Sequence, residues 1–238
     1  PKSLVSIGNE AFYNRKFEQI YVEASVPPTI GTNVFYGDTC RIRIPAGTRL
    51  VYSETQGWSA YVDRLVDGTD GSFEWNYLKI IPISSTTAIV AGLSKATYDS
   101  IVDIPNTVEL TIANNKRTFT VVSIRGNAFK GTAISGVHLN DEITTIGSYA
   151  FANCHLQDEM LIIPSNVTTI SANAFENTQI IGLSIEPGLK TIGDAAFKKC
   201  VFINNQELII PNTVTSIGNS AFASCQQITR LFVPKSVT

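Results

Sequence analysis

One pattern recurs along this chain with fixed internal spacing: an Ile, three residues, a small residue, then Phe. It runs from Ile7 to Ala11-Phe12, Ile30 to Val34-Phe35, Ile124 to Ala128-Phe129, Ile146 to Ala150-Phe151, Ile170 to Ala174-Phe175, Ile192 to Ala196-Phe197 and Ile217 to Ala221-Phe222. In five of these seven instances Gly follows the Ile directly. Phe12 and Phe35 are 23 residues apart, and the series from Phe129 to Phe222 advances by 22, 24, 22 and 25. A block of about two dozen residues cannot bury an apolar face alone. Such a period restricts the chain to coils that stack and share one core.

A second pattern falls into register with the first. Apolar residues spaced as LxxLxL occur at Phe17, Ile20, Val22; Ile134, Val137, Leu139; Ile180, Leu183, Ile185; and Ile228, Leu231, Val233. Leu161 with Ile163 and Leu208 with Ile210 hold the last two places in the repeats between. Alternation puts these side chains on one face, which predicts one short strand per coil in a parallel stack. Pro follows at positions 45, 105, 164, 211 and 234; with no N–H to donate, it ends the ladder there. The coil then returns through Leu4, Ile143, Val167, Leu189 or Val214 to the Ile-Gly turn. There Ala admits close backbone approach and Phe fills the middle.

Segments such as Ile210-Pro211-Asn212-Thr213-Val214-Thr215-Ser216-Ile217-Gly218-Asn219-Ser220-Ala221-Phe222-Ala223-Ser224-Cys225 closely resemble the BspA-type, or Treponema-type, leucine-rich repeat. The period lies within the ~20–29 residues of leucine-rich repeats. The expected fold is a leucine-rich-repeat solenoid, β-rich with few helices, in two partial arrays separated by a β-rich cap. Residues 1–66 resemble the end of an array, where Ile42-Arg43-Ile44-Pro45-Ala46-Gly47 leads to a short helix around Thr48 to Gln56 and the closing Gly57-Trp58. Residues 67–115 resemble a β-rich linker and N-terminal cap, carried by Phe73-Glu74-Trp75-Asn76-Tyr77-Leu78, Ala88-Ile89-Val90-Ala91 and Asp103-Ile104-Pro105. Residues 116–238 form the second array. Pro1 reads as a cut end, and Phe232 to Thr238 as an open apolar end with a tendency to end-to-end packing. The resemblance implies a secreted or cell-surface protein that adheres to host or partner-cell molecules, as part of a longer chain.

Few residues invite chemistry. Cys154, Cys200 and Cys225 each sit three residues after a Phe, in a column that Thr132 and Thr178 share, and read as compact side chains buried at a tight turn. Cys154 and Cys200 are two coils apart, about 10 Å, and Cys200 and Cys225 stack in parallel near ~4.8 Å, so free thiols are expected. The partnership of Cys40 is open. The histidines, His138 and His155, read as solvent-facing, and Asp158-Glu159 as a solvated insertion. Asn166-Val167-Thr168 matches a glycosylation acceptor, a short pattern common by chance. No cofactor, metal or catalytic constellation is expected. The net charge of −2 provides no field for a nucleic-acid backbone, and no apolar run reaches the ~18 residues of a membrane span.

In a stack of this kind, the residue between the last two apolar strand positions points to solvent. That column reads Tyr21 and Arg43 in the first array, and His138, Ile162, Ser184, Ile209 and Phe232 in the second. Beside it run Gly136, Met160, Gly182, Glu207 and Arg230. Five strands at ~4.8 Å give a sheet roughly 20 Å wide, enough for a protein or peptide. Ile162, Ile209 and Phe232 are apolar where a solvated strand favours polar residues, and such a patch marks an interaction surface. The alternative is that β-branched and aromatic residues simply suit strands. Together with what the resemblance implies, this face gives as the expected function a non-enzymatic recognition or adhesion module for extracellular proteins, with glycans as a variant. A spacer or stalk with no ligand of its own is the competing reading.

Overall fold

Successive coils meet through parallel ladders in the computed structural model, which describes residues 1–45, 48–67, 72–95, 100–112 and 115–238. The chain divides into two units. One comprises Pro1–Phe73 with Ile81–Thr86 and Glu109–Phe119; the other comprises Glu74–Ile80 with Thr87–Val108 and Thr120–Thr238.

In the second unit, the phenylalanines of the repeat form a continuous file. The rings of Phe129, Phe151, Phe175, Phe197 and Phe222 stack face to face with centroids 5.1, 5.2, 5.1 and 5.3 Å apart and planes within 8° of parallel. Each such contact adds about 0.5–1.5 kcal/mol beyond the burial of the ring. The preceding Ala128, Ala150, Ala174, Ala196 and Ala221 are also buried, as are the return residues Ile143, Val167, Leu189 and Val214. This file is the shared core that the period requires.

The Ile-Gly turn has a steric cause. A Cβ on Gly147 would lie 2.5 Å from the backbone nitrogen of Gly126, and one on Gly193 2.7 Å from that of Ala172. Coils approach backbone to backbone here, closer than any side chain allows. Two residues per coil then adopt left-handed backbone, three after the Ile (Asn127, Tyr149, Asn173, Ala195, Ser220) and two after the Phe (Gly131, Asn153, Asn177, Lys199, Ser224). Asn suits both places because its short polar side chain tolerates this region, and the Asn177 amide donates to Asn153 Oδ1 at 2.8 Å.

The sequence predicts one strand per coil; the structure has up to three. The coil around residue 170 contributes Leu161–Ile163, Thr169–Ile170 and Gln179–Ile180, each to a different ladder. The longest run joins Ser123-Ile124, Thr145–Ile146, Thr169–Ile170, Thr191–Ile192 and Ser216–Ile217, residue on residue in register. Every stretch on which the coil runs straight past its neighbour can pair, even when only two residues long. Ile180 therefore belongs to a ladder of its own, with Leu156 and Phe202, and is separate from Leu183–Ile185. Ahead of these coils stand the strands Leu78–Pro82, Thr87–Leu93 and Ser100–Asp103, in the β-rich segment expected there. Thr87 pairs with Thr120 and Val90 with Ile124, which joins that segment to the coil ladder.

In the first unit, Ser6–Ile7 pairs with Thr29–Ile30, and Ile42–Ile44 lies between Ile20–Tyr21 and Leu65–Asp67. The helix Arg49–Glu54 and the 3₁₀ turn Trp58–Arg64 close the core, where the expected helix falls; Ala46 and Gly47 lie outside the described residues. Trp58 is fully buried, and its indole N–H donates to the carbonyl of Pro28 at 2.8 Å. The Tyr52 hydroxyl donates to the carbonyl of Ala24 at 2.6 Å. Both side chains supply bonds to the last coil that a further coil would otherwise make.

A polar node fixes this closure. Asp38 is buried and accepts from the backbone N–H of Phe17 at 2.7 Å and of Cys40 at 2.8 Å, while Arg64 approaches it to 2.7 Å. Arg64 Nε also donates to the carbonyl of Cys40 at 2.9 Å. Burial pushes the Asp38 carboxyl up, but these hydrogen bonds and the guanidinium outweigh it and hold the group below its ordinary value. Cys40 has no disulfide partner; burial and the neighbouring carboxylate push its thiol up.

Candidate binding surface

The strand-face column predicted from the sequence is formed by the ladders. In the second unit Asp103 pairs with His138, Ile162 with Ser184, and Ile209 with Phe232. In the first unit Tyr21 pairs with Arg43, which pairs in turn with Val66. Leu161 and Ile163, and Leu208 and Ile210, are buried, so pleating turns Ile162 and Ile209 between them outward, whereas Leu231 and Val233 beside Phe232 are themselves exposed. Ile209 is 64% exposed, Phe232 49% and Ile162 45%; Tyr21, Arg43 and His138 are exposed, and Ser184 is half-buried.

Ser184 is the low point of this face. A groove of about 430 Å³ runs over Leu183, Ser184 and Ile185, with Met160 on one side, Ile209 and Glu207 on the other, and Pro187 and Pro211 along it. Met160 is 52% exposed. The short serine between longer aliphatic side chains makes the concavity, and Leu183 and Ile185 keep its floor apolar. The Glu207 carboxylate lies 3.1 Å from the Arg230 guanidinium, both exposed, at one margin.

His138 faces solvent, as the sequence predicts, but its side chain is not free. Its ring is half-exposed but held at both nitrogens, Nδ1 at 2.6 Å from Asp103 Oδ1 and Nε2 against Glu159 Oε2. These hydrogen bonds, first from Glu159 and then from Asp103, raise its pKa against a smaller opposing effect of burial. Asp103 and Glu159 are the residues that sequence reasoning missed. A signal for Asp103 existed: Ile104-Pro105 repeats Ile163-Pro164 and Ile210-Pro211, which places Asp103 in the column of Ile162 and Ile209. His155 is exposed in the two-residue strand His155–Leu156.

The cysteine column proves to be a column of donors. Cys154 Sγ lies 2.9 Å from the carbonyl oxygen of Phe129, Cys200 Sγ 2.9 Å from that of Phe175, and Cys225 Sγ 3.0 Å from that of Phe197. Thr178 Oγ1 makes the same bond to Phe151 at 2.7 Å. All three thiols are free, and burial pushes them up, Cys154 to about 11. They are structural groups, remote in character from reactive thiolates. Among the described residues no helix is long and apolar enough to cross a membrane.

Residues 1–54 and 122–238, more than half the chain, match the BspA type leucine rich repeat region in six copies. Among solved structures, a leucine-rich repeat protein from Bacteroides ovatus is 30% identical, with 69% of this chain and 42% of that one covered and a TM-score of 0.57. A leucine rich cell surface protein from Faecalibacterium prausnitzii is 22% identical, with 70% of this chain and 44% of that one covered and a TM-score of 0.49. The chain thus spans less than half the length of either structure. A comparison with curated proteins gives no match.

Proposed function

From the premise that the chain belongs to the BspA-type leucine-rich repeat family, we propose that it is a non-enzymatic recognition module that binds a protein partner through the strand face of its second unit. The observation that carries this reading is the set of exposed aliphatic side chains, Met160 and Ile209 at the groove over Ser184 and Ile162 on the strand that pairs with Ser184. A strand face that serves only as a spacer gains nothing from apolar side chains in contact with water, whereas a binding face gains the free energy of covering them. The rigid ladder beneath holds them in fixed positions, so little entropy is lost on binding. The ionic groups at the margins, His138 with its two carboxylates and Glu207 with Arg230, suit the polar rim that surrounds an apolar centre in protein interfaces. Tyr21 and Arg43 present an analogous exposed pair in the first unit. Work at the cell surface or outside the cell, on host or partner-cell proteins, is part of the proposal and rests on family membership.

The test is a binding screen of the chain against extracellular-matrix and serum proteins, repeated with Ile162→Ser, Ile209→Ser and Phe232→Ser combined. A partner that binds the parent chain and loses about a hundredfold in affinity with the folded triple variant supports the reading; two or more apolar anchors at ~1.5 kcal/mol each give that loss. A partner held equally by both chains moves the site elsewhere. A screen in which nothing binds favours the spacer reading.

A further inference from the structure

A concavity of the first unit lies away from its strand-face column, where the coils give way to the closing helix. Thr29–Ile30 is the last strand of its ladder, and beyond it the chain continues as the 55–61 segment instead of another coil. Gly57, with φ of 86°, turns the chain so closely over Ile30 that a Cβ on it would meet Ile30 Cγ2 at 2.4 Å. The mismatch between a coil and a helical closure leaves an open cavity of about 710 Å³ beside that contact, within the ~300–1,000 Å³ range of small-molecule sites.

Its lining is neutral throughout: none of the described lining residues carries a charge. The polar groups are amides and hydroxyls whose bonds to the protein leave defined valences over. Asn9 Oδ1 accepts the N–H of Thr32 at 2.9 Å, which fixes the amide and leaves its NH₂ to donate. Thr29 and Thr55 each donate a hydroxyl proton to a backbone carbonyl, of Val5 at 3.3 Å and of Val51 at 2.7 Å, which leaves their oxygens to accept. The Tyr61 oxygen takes the N–H of Phe35 at 3.4 Å, which leaves its own proton to donate. Gln56 adds an exposed carboxamide that does both. Apolar surface comes from Ile30, Ala60 and the Tyr61 ring, itself braced edge-on against Phe35 at 5.4 Å.

We infer that this cavity is a binding site for a neutral oligosaccharide. Sugar hydroxyls donate and accept at once, and a lining of interleaved donors and acceptors, held rigid by bonds to the backbone, satisfies them without the loss of side-chain freedom. The C–H face of a pyranose rests on the aliphatic and aromatic floor. A charged ligand would find no counter-charge here to offset the water it gives up. The site is independent of the strand face proposed for protein binding.

The experiment titrates the full chain with neutral gluco-, galacto-, manno- and N-acetylhexosamine oligosaccharides. Sialylated and sulfated ones are run in parallel, and the side-chain amide signals of Asn9, Asn33 and Gln56 are followed by NMR. At least one neutral oligosaccharide shifts these signals with a millimolar or tighter dissociation constant and outcompetes its anionic counterpart. Gln56→Ala weakens it about tenfold, the loss of one well-placed hydrogen bond, and Ala60→Trp, which fills the mouth, abolishes it. Both residues are exposed, so the remaining spectrum stays unchanged. Neutral sugars that leave the three amides unmoved at millimolar concentration overturn the assignment. So does preference for the anionic set, or binding untouched by both substitutions.

Discussion

Cys200 Sγ points at the carbonyl oxygen of Phe175 in the coil before it, 2.9 Å away. Thr178 does the same for Phe151 one coil earlier, so thiol and hydroxyl are interchangeable parts of one column. Each ties the turn after the Phe to the backbone of the coil before it. The column therefore reinforces the ring file from the side.

Cys200→Thr is accordingly expected to leave stability within about 0.5 kcal/mol of the parent, because a hydroxyl already serves at Thr178. Cys200→Val keeps the shape and loses the donor, and should cost about 1 kcal/mol more than Cys200→Thr in denaturant unfolding. The native protein should also leave Cys154 and Cys200 unmodified by a thiol reagent that labels both in denaturant, since burial disfavours their thiolates. Equal stability of the Thr and Val variants would remove the hydrogen bond from the account.

Ala195 holds a left-handed backbone, φ 53°, at a place where Asn127 and Asn173 stand in other coils. An L-residue with a methyl side chain is strained there by roughly 1 kcal/mol. Ala195→Gly should raise the melting temperature by a few degrees, offset in part by the added freedom of Gly in the unfolded chain. Ala195→Asn is expected to act in the same direction. A fall in melting temperature for both variants would show that the turn is unstrained.

The His138 imidazole is bonded by Glu159 and Asp103 and titrates above its ordinary value. The stabilisation from this cluster is therefore fully present below about pH 6.5, the value in an unfolded chain, and is lost as pH rises through the higher folded value. Exposure of the ring keeps the effect on global stability small. The direct reading is an NMR titration of the ring protons. Glu159→Gln should bring the midpoint down toward 6.5, and Asp103→Asn should do so by less.

Asp38 carries the opposite sign. Its folded pKa lies below the ordinary value, so its contribution is present above about pH 3.9 and is lost as pH falls through the depressed value. Asp38→Ala removes the acceptor for Phe17, Cys40 and Arg64 together and should destabilise the first unit by about 3–5 kcal/mol. Hydrogen exchange should report that loss at Ile42–Ile44 and Trp58.

The ring file and the Ile-Gly turn were legible in the sequence because each keeps a fixed offset from Phe, and the outward column because it lies between two apolar residues, with Pro two places on at Arg43, Ile162, Ile209 and Phe232. The two-residue ladders were not. Thr169-Ile170 is too short for alternation to be seen, and its pairing with Thr191-Ile192 exists only once coils are stacked. The same holds for His138, whose partners lie 35 and 21 residues away and meet it only through ladder register. The alternation of Thr and Cys after Phe did carry a signal, since a purely apolar role would not favour Thr. The cavity beside Thr29 has no sequence signature, because it arises where a helical closure fails to match the coil it covers.

A single position tests the shared core most directly. Phe175 is fully buried between the rings of Phe151 and Phe197. Phe175→Ala should cost about 3–5 kcal/mol. Its hydrogen-exchange pattern should show lost protection at Ala150–Ala152 and Ala196–Phe197 in the flanking coils as well as in its own, fading with distance along the stack. Loss of protection confined to residues 170–178, with both neighbouring coils unchanged, would contradict a core held in common.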